Sequence, residues 1–175
     1  MFSKKAEHAV IKEMKTLVTI ISKDLFGSLD RMFRHGHSRA EAAMFVVFYV
    51  QEAYRNFYSG ADAPAVLAQY QEAMQDFVWD IQKKDHNYAG GLGALTSARV
   101  EFESSYEDRG YEYSRSMDAD FRRVAAMDHM PAKMKSTAHL AAQYIFVPET
   151  KLDGETLLLN KVHGYLKTCL TNIQK

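Results

Sequence analysis

The sequence predicts an all-α fold: a single-domain bundle of about six helices whose central member, Glu41–Tyr58, is buried by its neighbours. Three observations carry this. Apolar residues recur at steps of three and four through most of the chain, the spacing that aligns side chains on one face of a helix. No stretch alternates with period two for long enough to make a strand, and Tyr144–Val147 is the one place where extended chain fits. Ala42–Val50 holds no polar side chain, so that helix is apolar on every face. Such a helix is enclosed in a core or in a membrane, and the run is far shorter than the roughly 20 residues a membrane span takes.

The first helix is expected from about Lys4 to His35. Val10, Met14, Leu17, Val18, Ile21, Leu25, Leu29 and Met32 form one stripe. Its phase holds across Gly27, which favours one helix over two although glycine costs roughly 1 kcal/mol in a helix interior. Gly36 supplies the stop. Ser38 with Glu41 three residues on has capping-box spacing and starts the central helix; Ser59-Gly60 ends it. Gln51, Glu52, Arg55 and Asn56 give that helix a wetter second half.

Asp62 and Pro64 open a third helix as cap and first-turn proline, with Leu67, Tyr70, Met74, Phe77, Val78 and Ile81 inward. Asp85–Gly93, the one glycine-dense segment, reads as the main loop. A fourth pattern starts near Leu95 and keeps phase through Phe102, Tyr106, Tyr113, Met117, Phe121 and Val124, as one long helix or as two meeting at Gly110. Pro131 starts a fifth helix, with Met134, Ala138, Ala141 and Ile145 inward. Pro148 ends it, because proline cannot continue the hydrogen-bond ladder. Asp153 is placed as cap of the sixth, whose stripe is Leu158, Val162, Tyr165, Leu166, Cys169 and Ile173.

At 175 residues and 47% apolar side chains the chain suits one domain with a real core. The lone Cys169 can make no internal disulfide, and the N-terminal stretch has no apolar signal core, so the expected compartment is the cytoplasm. Equal numbers of acidic and basic side chains, 22 each, speak against general nucleic-acid binding. The charge is unevenly spread. Residues 1–39 hold eight basic and four acidic side chains, whereas residues 101–121 hold seven acidic and two basic. Either helices of opposite sign compensate within the fold, or the acidic stretch docks a basic partner.

No stretch carries a catalytic, metal or nucleotide signature. Glu-x-x-His pairs for a di-iron centre are absent. His35 and His37 flank a glycine in a turn, too few ligands for a zinc site, and read as helix-end histidines. Cys169 lies on an inward stripe, where a thiol is inert. Gly90-Gly91-Leu92-Gly93 lacks the Lys-Ser/Thr of a P-loop, although backbone donors ahead of a helix can meet an anion. His139 and His163 read as surface histidines. The basic turn Arg34–Arg39 precedes an apolar core helix that cannot enter a DNA groove. Asp76 with Asp80, and Asp118 with Asp120, read as solvated helix faces.

What remains is an aromatic excess of ten Tyr and ten Phe. Tyr49, Tyr54, Tyr58, Tyr88, Tyr106, Tyr111 and Tyr113 flank the stripes, and tyrosine suits interfaces because it joins an apolar body to a polar tip. The expectation is therefore a helical protein-interaction or regulatory module with no cofactor. Its protein partner, a second copy of itself included, would dock on Tyr106, Glu107, Asp108, Tyr111, Glu112 and Tyr113. The alternative is a small-molecule binder or enzyme with an apolar pocket between helices.

Overall fold

The computed structural model describes residues 8–29, 37–86, 90–126 and 134–174. Six helices follow in order: α1 (Ala9–Leu29), α2 (His37–Phe57), α3 (Ala63–His86), α4 (Gly91–Ala126), α5 (Lys135–Ile145) and α6 (Lys151–Ile173). Among the described residues there is no strand, and no helix is long and apolar enough to cross a membrane.

α2 is the axis, packed against each of the other five helices. Every residue from Ala42 to Tyr54 is buried. The expected wetter second half is therefore corrected: Gln51 and Glu52 are enclosed, and exposure begins at Arg55. The cause is α4, which at 36 residues spans about 54 Å. It runs parallel to α2 and covers its length, Arg109 meeting Glu41 near one end and Phe121 meeting Phe57 at the other.

Two glycines permit close approach. A Cβ on Gly110 would lie 2.8 Å from the buried Phe48 ring, so glycine here lets α4 rest on α2, and α4 is one unbroken helix. A Cβ on Gly154 would collide with Phe146, whose ring covers the first turn of α6. α1 likewise runs straight through Gly27; it starts at Ala9, after a non-helical His8, and the predicted ends at Lys4 and His35 lie outside the described residues.

Local readings shift in four places. The predicted Asp85–Gly93 loop shrinks, because Asp85 and His86 finish α3 while Gly91–Gly93 already belong to α4; Gly90 and Gly91 turn the chain with φ of 134° and 74°. The inward face of α3 is rotated, with Val66 and Trp79 buried and Leu67, Phe77 and Ile81 half-buried. α6 takes Thr150 as cap with no side-chain bond, and Asp153 lies in the first turn. The Ser38 side chain lies outside the described residues, and Glu41, its expected capping partner, accepts from Arg109 Nε.

The core consumes most of the tyrosine excess, and two of the buried phenols find helix carbonyls as acceptors. Tyr49 Oη donates to the Val162 carbonyl at 2.5 Å, tying α6 to α2, and Tyr70 Oη donates to the Val47 carbonyl at 2.8 Å, tying α3 to α2. Asp120 is also interior, not on a solvated face. Its Oδ2 accepts from the Thr137 backbone N–H at 2.9 Å and from the Thr137 hydroxyl at 2.7 Å. A carboxylate from α4 thus satisfies a first-turn donor of α5, whose own cap residue Met134 offers none.

Candidate functional site

The residues predicted to meet a partner divide in two. Tyr106 and Tyr113 are 3% and 0% exposed. Tyr106 packs on Phe48 and Phe102 at ring-centroid distances of 5.0 and 5.7 Å, and Tyr113 lies 5.9 Å from Phe45. Both belong to the inward stripe of α4 and are removed from the docking face. Tyr111 is 71% exposed, and Glu107 and Asp108 beside it are exposed too.

Glu112 is drawn halfway in. Its Oε2 accepts from the Tyr144 hydroxyl and lies 3.5 Å from Arg109 Nη1. Arg109 joins three helices: its Nε reaches both Glu41 oxygens at 3.2 and 3.3 Å, and its guanidinium lies 3.3 Å from the Tyr144 ring centroid. The hydrogen bond to Glu112 raises the pKa of the Tyr144 phenol above its ordinary value, since losing the proton there would set two anions together. This cluster fixes α2, α4 and α5 side by side and engages Glu112 in contacts within the chain, leaving it half-exposed.

What α4 leaves outward is one continuous stripe. Val100 (61% exposed), Ser104, Glu107, Asp108, Tyr111, Arg115 and Arg122 all face solvent at steps of three, four and seven. Glu101, on the edge of the same face, is exposed as well. Among the described residues Glu101, Glu107, Asp108 and Arg115 have no hydrogen-bond or ion-pair partner, whereas Arg122 Nε holds Asp118 at 2.8 Å. Counting acids in the sequence found Glu107 and Asp108 but passed over Val100 and Arg115. Helical spacing outward from Tyr111 was the signal that would have found them.

A cleft of about 370 Å³ opens on one flank of α4, where α2 begins and α3 ends. Met44 and Phe102 give it an apolar wall; Glu41, Gln82, His86, Glu101 and Ser105 give it a polar rim. His35 lies outside the described residues, as does the His37 side chain. Among the described residues no three His, Cys, Asp or Glu side chains are grouped to hold a metal ion. Cys169 is fully buried and its thiol is pushed up to about 12 by burial, so it is no nucleophile near neutral pH. Asp76 and Asp80 are tied to Arg99 and Lys83, each at an oxygen–nitrogen distance below 3 Å. His139 lies between Glu155 and Gln143, and His163 is half-buried.

Beside Asp120, a second carboxyl group expected at the surface is buried. Glu52 is 0% exposed; its Oε1 meets Arg55 Nη1 at 2.7 Å, and its Oε2 has no hydrogen-bond partner. Burial raises its pKa, against the lowering pull of Arg55. Only the end of the apolar run at Val50 marked the position, and that pointed the wrong way, toward solvent.

No family model, no curated protein and no solved structure matches this chain.

Proposed function

We propose that this chain is a cytoplasmic protein-binding module whose partner lies along the outer face of α4, centred on Tyr111. The observation that carries the reading is a tyrosine 71% exposed in the middle of a long helix, with unpartnered charges one turn away on each side. Large exposed aromatics with a polar tip are the side chains that anchor interfaces, and a surrounding rim of charge selects and orients the partner. The lone, buried cysteine is in keeping with a reducing compartment.

A photo-reactive phenylalanine derivative placed at position 111 and expressed in the native host tests this. The expected result is a discrete protein adduct, lost when Glu107→Lys and Asp108→Lys are combined and absent when the probe sits at Thr168 on α6. Equal labelling from both positions, or no adduct at 111, would defeat the reading.

The cleft beside α4 supports a second reading, a small polar ligand between α2, α3 and α4, because its volume of about 370 Å³ reaches the lower range of ligand sites. Native mass spectrometry of freshly purified protein separates the two: a retained small molecule favours the cleft.

A further inference from the structure

The charges along the outer face of α4 are arranged in opposite order on the two sides of Tyr111. One turn toward the N-terminus stand Glu107 and Asp108; one turn toward the C-terminus stands Arg115. Two turns out, Ser104 on one side matches Asp118 on the other, and about three turns out Glu101 matches Arg122, the arginine that holds Asp118. Helix-dipole compensation does not account for this order, because that effect fades beyond the first and last turns. Glu107 and Asp108 lie more than four turns inside α4.

A two-fold axis through Tyr111 turns this order into complementarity. An isologous interface requires a patch that fits itself, residue i meeting j and j meeting i. Antiparallel pairing centred on Tyr111 sets Glu107 and Asp108 against the other copy's Arg115, Ser104 against Asp118 and Glu101 against Arg122, with the two Tyr111 rings meeting on the axis. A parallel pair sets acid against acid. An antiparallel pair centred on Glu107 and Asp108 does the same. The exposed Val100, three turns from the axis, lies where the aliphatic stem of Arg122 crosses.

We infer that the partner of this face is a second copy of the chain, joined through antiparallel α4 helices about a two-fold axis at Tyr111. The inference rests on the protein-binding reading above and names its partner. A single helix pair lies at the small end of specific interfaces, about 1,200 Å² in total or less, so dimerisation depends on concentration.

Sedimentation across about a hundredfold range of protein concentration, with the span set by the weak affinity such a small interface implies, is the test. The native chain is expected to pass from monomer to dimer. Glu107→Arg with Asp108→Arg places like charges against Arg115 and is expected to weaken the dimer by about tenfold or more; Arg115→Glu does the same by repelling the acids. An equimolar mixture of the two variants recovers a dimer, since each then carries the sign the other requires. Tyr111→Cys forms a disulfide-linked dimer under mild oxidation, and Thr168→Cys does not. All these positions are exposed, and a melting curve for each variant verifies folding. A native chain that stays monomeric throughout, or variants that dimerise as well as the native chain, overturns the inference. If the chain is monomeric but the probe at position 111 traps a different protein, self-pairing alone has failed. If the probe is silent as well, the binding reading fails with it.

Discussion

Alanine in place of glycine has opposite consequences at two positions on this bundle's helices. At Gly27 the backbone is exposed and nothing lies within 4 Å of an added Cβ. Gly27→Ala removes the entropic penalty of glycine and adds nothing to the core, so it should stabilise by about 0.5–1 kcal/mol. Gly110→Ala has the same propensity gain, but its Cβ would lie 2.8 and 2.9 Å from Phe48 Cζ and Cε1. Phe48 is fully buried, with Tyr106 and Tyr113 at ring-centroid distances of 5.0 and 6.2 Å. The ring has no empty space to enter, so α4 must lift from α2, an overpacking cost of about 1–3 kcal/mol. The net expectation is a loss of up to about 2.5 kcal/mol at Gly110. In a chain of this size the two variants should then melt about 5–10 °C apart. Urea titration with equal m-values would verify that stability alone has changed. A Gly110→Ala variant as stable as Gly27→Ala would refute the close α2–α4 contact.

Two further perturbations probe the buried polar groups. Tyr49→Phe removes the hydroxyl that bonds the Val162 carbonyl and should cost about 1 kcal/mol, whereas Tyr113→Phe removes a buried hydroxyl with no partner and should be neutral or slightly stabilising; thermal melts of both in one buffer decide it. Glu52 has a folded-state pKa raised above its unfolded value, chiefly by burial, so the native state binds its proton more tightly. Its contribution to stability therefore rises as pH falls from the folded pKa toward the unfolded one and stops rising below that. Glu52→Gln should raise the melting temperature at neutral pH and remove that part of the pH dependence; an unchanged pH profile would mean that Glu52 is better solvated than its surroundings indicate.

Much of the architecture was written in local spacing. The stripe of α1, the sealed run Ala42–Val50, the Pro148 stop and the inward set of α6 from Leu158 to Cys169 all depend on periodicity and backbone rules that neighbours do not alter. The failures came where tertiary contacts decide. Glu52 looks like the start of a wet surface until α4 is known to lie over it. Asp120 looks solvated until the first turn of α5 is known to end on its carboxylate. Gly110 could be a kink or a contact, and only Phe48 distinguishes them. The exposed face of α4 was half legible: Tyr106 and Tyr113 already stood on the inward stripe of the sequence pattern, and their chemistry drew them into a surface their spacing denied. Arg115 entered the sequence reading only as a charge within an acidic stretch, and the proposed self-pairing rests on its place one turn beyond Tyr111.

Hydrogen exchange read by mass spectrometry tests most directly the claim that α2 is enclosed along its length while α4 turns one face to solvent. Amides from Ala42 to Tyr54 are expected to exchange slowest in the molecule, Gln51 and Glu52 included, and the first two turns of α4 to exchange early. Exchange at Gln51–Tyr54 as fast as in those turns would contradict it.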